Sequence, residues 1–225
     1  MSNKSKNEFG SDVAVVFNPN ENVHFLGTKS DIEDFKKWKN NNQVSKVVDE
    51  NGEPLVVYHR SDTENISIFD ISKAKKEDRV LAFAYHFGTE KAADEIDLYG
   101  SNVSSKYAVF LNIKNEFKWT DLAQGDFVRA LRNLKNNDII SDEEFDKFRD
   151  YKYTKSAEER LNLMKSLFTR MNKDGYSYIN NVEDRGSKSW AVFDSNQIKS
   201  ATDNKGTFST QNDNIYESKQ DIISQ

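Results

Sequence analysis

Cysteine is absent from all 225 residues, which removes disulfides, thiolate zinc sites and cysteine nucleophiles at once. Histidine is nearly as scarce. His24, His59 and His86 stand far apart and form none of the paired patterns that metal ligands need, so no metal is expected. No apolar run approaches the ~20 residues required to cross a bilayer. The opening MSNKSKNEFGSD has no apolar stretch of the kind that makes a secretory signal. A soluble, cytoplasmic chain without a membrane partner is therefore expected. There is no glycine-rich phosphate cradle, no serine elbow and no HExxH pair. The net charge of −5 is spread over interspersed acids and bases, with no basic stripe to mark a nucleic-acid surface.

What the sequence does have is aromatic bulk. Fifteen Phe, nine Tyr and three Trp supply the material of a core. Apolar residues are 36% and charged residues 31%, a balance that fits a packed domain diluted by polar ends. Residues 1–29 read as a flexible lead, 30–202 as the folded domain and 203–225 as a polar tail with little to bury.

Pattern assigns the elements. A strand is predicted over 13–17. A helix is predicted over 30–40, where Ser30 and Glu33 make a capping box and Ile32, Phe35 and Trp38 recur at helical spacing. Runs 44–48 and 55–59 flank Asn51-Gly52 and predict a hairpin. Further strands are predicted over 66–69, 83–87, 176–182 and 190–193. The run 107–113 (YAVFLNI), apolar on both faces, predicts a buried central strand. Helices are predicted over 89–98, 126–134, 141–151 and 156–172. The last two open on Ser-x-x-Glu, and Leu161, Met164, Phe168 and Met171 share one apolar face. Strands at both ends around a helical block make an α+β fold, with a curved or split mixed sheet and a helical insertion over about 125–173. These patterns alone name no activity.

Three blocks carry a resemblance. Residues 45–61 (SKVVDENGEPLVVYHRS), 83–95 (FAYHFGTEKAADE) and 178–209 (YINNVEDRGSKSWAVFDSNQIKSATDNKGTFS) resemble the ADP-ribosyltransferase domains of phage and mobile-element polyvalent proteins. These are similar in turn to the His-Tyr-Glu transferases and the poly(ADP-ribose) polymerases. The likeness runs from about residue 31 to 209, with little of it in 114–173.

The resemblance implies NAD⁺ as co-substrate and assigns roles. His59 matches the strand histidine that holds the adenine-side ribose, where an imidazole offers one donor and one acceptor to a diol. The backbone of Arg60 would face the nicotinamide carboxamide, at a position where most relatives carry glycine. Ser61 would support the same edge. His86 falls where an aromatic residue stacks on nicotinamide, with Tyr85 and Phe87 beside it; a register slip of one would give Tyr85 that role. The polymerases carry their catalytic glutamate where this chain has Ser189, and a hydroxyl cannot supply that charge. The polyvalent-protein relatives commonly have a Tyr-x-Asn-x-x-Glu-Asp segment upstream, present here as Tyr178, Asn180, Glu183 and Asp184. Glu183 is then the candidate carboxylate, with Asp184 second. Trp190 and Phe193 read as core.

The activity implied is mono-ADP-ribosylation of a host macromolecule, with a protein side chain as acceptor. Ser189 and His86 argue against chain elongation. NAD⁺ hydrolysis is the same chemistry with water as acceptor. Two non-enzymatic readings stand beside it. One is a binding module that keeps the fold. The other is a virion-associated interaction protein, whose Leu161/Met164/Phe168/Met171 face would be exposed.

Overall fold

The computed structural model describes residues 5–6, 12–16, 24–28, 45–52, 54–73, 83–96, 104–120, 127–202 and 212–216. The helix predicted over 30–40 lies outside them. Three strands, β1 (Ser5–Lys6), β2 (Asp12–Val16) and β3 (His24–Thr28), pair in that order into an antiparallel sheet. β2 falls on the strand predicted over 13–17, while β1 and β3 lie in a stretch that otherwise reads in sequence as a flexible lead. The chain divides into two compact units. One takes in Met1–Ile68, Leu98–Lys114 and Asp194–Gln225, the other Phe69–Asp97 and Asn115–Phe193.

In the first unit β4 (Val57–Ser61), β6 (Ser105–Leu111) and β10 (Ile198–Ser200) form an antiparallel sheet with β6 in the middle. The doubly apolar run 107–113 thus becomes the central strand, as its pattern predicts. Val57, Val109, Leu111 and Ile198 are buried on the sheet, and Ile113 follows β6 into the interior. The predicted hairpin is cut short. Its turn closes through Gly52 N–H to the Asp49 carbonyl, and Val48 meets Pro54 in a single bridge. Pro54 has no N–H with which to extend the ladder. Lys46 N–H turns instead to the Ile113 carbonyl, and the Ser45 hydroxyl donates to Leu111 O while accepting from Val47 and Ile113.

The strand predicted over 66–69 is also not formed. Ile66 N–H donates to the Tyr107 hydroxyl and the Ser67 carbonyl accepts from Ile215 N–H, so side-chain and tail contacts replace a neighbouring strand. Part of the polar tail is therefore anchored. Ile215 is 1% exposed, and the buried Lys199 ammonium donates to the carbonyls of Asn212 and Asn214.

The second unit is built on a four-stranded mixed sheet in the order β5 (Tyr85–Phe87), β9 (Lys188–Val192), β8 (Gly175–Ile179), β7 (Glu116–Lys118). β7 and β8 run parallel, which demands a long crossover between them. That crossover is the helical block: α2 (Phe127–Asn136), α3 (Asp142–Phe148), α4 (Tyr151–Thr154) and α5 (Ala157–Arg170). A short helix, α1 (Glu90–Glu95), follows β5. Ser141 and Ser156 each complete a capping box with Glu144 and Glu159, worth about 1 kcal/mol apiece. The acids at these helix starts serve capping and the helix dipole.

Leu161, Met164 and Phe168 turn inward against Phe127, Leu131 and Tyr176. Met164 and Phe168 are fully buried, so the face that an interaction protein would need to expose is core. Among the described residues helices and sheets assort into an α+β fold with a split sheet and no barrel.

Candidate active site

The first unit presents His59, Arg60 and Ser61 through strand register. His59 lies opposite Tyr107, Arg60 opposite Lys106 and Ser61 opposite Ser105. Side chains alternate along a strand, so His59 and Ser61 share one face and Arg60 takes the other. The Arg60 guanidinium donates from Nε to Ser104 Oγ at 2.8 Å. Its bulk is thereby removed from the His59 face, and Arg60 offers that face only backbone. Ser61 Oγ accepts from Thr63 N–H at 3.1 Å, which turns the chain at the strand end. The Tyr107 hydroxyl donates to Thr63 O and accepts from Ile66, bracing the same turn. A cavity of about 420 Å³, walled by Ser105, Lys106, Tyr107, Thr202 and Tyr216 among others, opens beside β6 in this unit.

The second unit gathers most of the other candidates. His86 pairs across the sheet with Ala191, Tyr176 also with Ala191, and Tyr178 with Ser189. These five residues therefore lie on one face. The His86 ring sits between two phenols, with Nδ1 3.1 Å from the Tyr178 hydroxyl and Nε2 3.3 Å from that of Tyr176. A neutral imidazole donates through one nitrogen and accepts at the other, so one phenol accepts and the other donates. Both rings stand edge-on to the imidazole, with centroids 5.9 Å away. Tyr85 and Phe87 turn to the opposite face, edge-on against Phe69, and Tyr85 Oη accepts from Ile71 N–H. The slipped register that would bring Tyr85 alongside Tyr178 is not the one adopted.

At the open end of this face the chain leaves β8 and returns as β9 through residues 180–187. Asn180, 5% exposed, organises that loop. Its Oδ1 accepts from Val182 and Glu183 N–H, while its Nδ2 donates to Glu183 Oε2 at 3.2 Å and to Ser189 Oγ at 3.3 Å. Two acceptor lone pairs and two donors are all a carboxamide has. Asn180, expected to touch the nucleotide, therefore spends its side chain on the loop. Gly186 N–H returns to the Asn180 carbonyl, and at φ +90 this glycine takes a conformation closed to L side chains. Glu183 is half-buried. Its Oε1 receives no hydrogen bond among the described residues.

Ser189 is 1% exposed beneath Asn180. Gly88 closes over it. A Cβ on Gly88 would lie 3.2 Å from Ser189 Oγ and 3.0 Å from the Ala92 Cβ, so any larger residue here would require these neighbours to give by a few tenths of an ångström.

The candidates thus fall into two groups, His59–Arg60–Ser61 in one unit and His86, Tyr178, Asn180 and Glu183 in the other. A model of the family described as ADP-ribosyltransferase in polyvalent proteins matches residues 49–208. The chain belongs to this family. The match takes in both groups of the ADP-ribosyltransferase domain, from β4 to β10. No curated protein and no solved structure matches the chain. Among the described residues no three acids or histidines converge as a metal site, and no helix is long and apolar enough to cross a membrane.

Sequence reasoning about this transferase domain overlooked Tyr176 and Gly88. Tyr176 was detectable, since Tyr-x-Tyr within a strand places both rings on one face. Gly88 carried a weaker signal, a glycine wedged between a strand and a helix start.

Proposed function

We propose that the domain transfers one ADP-ribose from NAD⁺ to a side chain of a host protein. The observation that carries this reading is the Glu183 carboxylate. One oxygen is held by Asn180 and the other is left to accept a hydroxyl, at the end of the face that bears His86 and Tyr178. The family to which the chain belongs supplies the reaction class.

The bond that breaks joins the ribose anomeric carbon to the nicotinamide nitrogen. Nicotinamide departs neutral, and positive charge develops on the ribose as in glycoside cleavage. Glu183 Oε1 accepts a hydroxyl of that ribose and faces the growing charge, which lowers the barrier because the carboxylate is already fixed in place. The acceptor nucleophile then bonds to the anomeric carbon and gives up its proton. His59 holds the adenine-side ribose through its two ring nitrogens, and the Arg60 backbone meets the carboxamide. His86 and Tyr178 form the aromatic wall for nicotinamide. The cytoplasm of a bacterial or phage-infected cell supplies NAD⁺ and targets, whether the protein is made there or arrives with a virion.

Labelled NAD⁺ incubated with the purified chain and a bacterial lysate tests this. Label on a discrete protein band, lost in both His59→Ala and Glu183→Gln, supports transfer. Nicotinamide release without a labelled band points to hydrolysis by the same site. The buried Ser189, uncharged where the polymerases have glutamate, favours one second reading, a module that binds NAD⁺ without cleaving it. Measurable affinity with no nicotinamide released would establish that version.

A further inference from the structure

The loop that carries Glu183 is tied down at a second point. Asp184 stands at φ +42, a left-handed conformation unusual for a residue with a side chain, and three partners hold it there. Its Oδ2 accepts from the Thr89 hydroxyl at 2.7 Å, its Oδ1 accepts from Lys91 Nζ at 2.8 Å, and its N–H donates to Glu95 Oε2. All three belong to α1 or its cap, the helix that continues the His86 strand. Thr89 serves both elements, since the same hydroxyl accepts from Ala92 N–H as the helix cap. Lys91 also reaches Glu95 at 3.7 Å, closing a ring of charge on Asp184. Lys91 holds the Asp184 carboxyl below its ordinary range, with Thr89 adding to it, and Asp184 raises the Lys91 ammonium in return.

We propose that Thr89, Lys91, Glu95 and Asp184 form a latch that positions Glu183, making Lys91 and Asp184 positioning residues for the reaction. Asn180 fixes Glu183 from the β8 side and the latch fixes the next residue from the α1 side. Between them the carboxylate has one place to be. The latch ties the carboxylate loop to the strand that bears His86, so two parts of the site move as one. This inference rests on the functional reading given above.

Two readouts on the purified chain test it together. The first is amide exchange across residues 180–187, which needs no activity. Lys91→Met and Asp184→Asn should speed exchange at the Asp184 amide about tenfold while leaving that of Tyr176 unchanged. The second is nicotinamide release. Its kcat should fall about tenfold with KM for NAD⁺ within twofold, the signature of a misplaced group rather than lost binding. Lys91→Arg, which keeps the charge and reach, should restore both. Unchanged exchange in Lys91→Met overturns the latch. Faster exchange with unchanged kcat overturns its positioning role. A wild-type chain that releases no nicotinamide overturns the transferase reading and the positioning role with it, while the exchange readout still decides whether the latch exists.

Discussion

His59 and Glu183 are held by different means. His59 sits mid-strand in β4, one rung of a five-residue ladder with β6, so backbone register fixes the face on which its side chain lies. Glu183 sits in a loop beyond the ladder, closed by backbone bonds between Asn180 and Ser187, Gly186 and Asn180, and Ser187 and Asp184, and its own place is set further by side chains: Asn180 beneath it and the Asp184 partners beside it. A strand tolerates replacement of its side chains without losing register. A loop of this kind loses its shape when one carboxamide goes. The first unit thus holds its candidate residue through topology, the second adds a polar network on a rigid base.

That base should show the largest effect. Phe168 is fully buried among Phe117, Trp119, Tyr176 and Phe193, and Phe168→Ala should cost about 3–5 kcal/mol of stability in denaturant unfolding. The paired substitutions Asn180→Ala and Ser61→Ala come next. Removing Asn180 takes the partner from two part-buried loop N–H groups and from the buried Ser189 hydroxyl, and should cost about 1–3 kcal/mol and most of the nicotinamide release. Ser61→Ala removes one exposed turn bond and should fall within about 0.5 kcal/mol. Equal costs for the pair, measured by the same unfolding curves, would erase the distinction between a network-held and a ladder-held residue.

Much of the ladder was legible in the sequence. The central place of β6 follows from a run apolar on both faces, and α3 and α5 from their Ser-x-x-Glu starts, because these patterns report burial and capping within a few residues. The network was not legible. That Asn180 spends all four hydrogen-bonding positions on its own loop depends on Ser189, nine residues away, and the Asp184 partners lie 89 to 95 residues distant. The missing strand at 66–69 has the same origin. Its apolar spelling is local, but its backbone partners are Tyr107 and Ile215. Arg160 is a further case. It follows two exposed acids on α5, yet it is 2% exposed and donates to the Lys155 carbonyl.

The smallest expected effect concerns pH. Asp184 is held below its ordinary value of 3.8, so the stability it lends is present above that pH and lost as pH falls through its lowered value. Lys91 is held above 10.5, so its contribution is complete below that pH and lost as pH rises through its raised value. Exchange in the 180–187 loop, corrected for intrinsic rates, should be flat between these limits and rise at both ends. The β4 amides should show neither rise.

The claim on which the account turns is that Glu183 is the working carboxylate. Its most direct test is nicotinamide release by the purified chain, with NAD⁺ affinity measured in parallel for wild type and Glu183→Gln. The account predicts a rate on the order of a hundredfold lower in the variant, since an electrostatic stabiliser is removed, with affinity unchanged within about threefold. A variant that releases nicotinamide at the wild-type rate contradicts it.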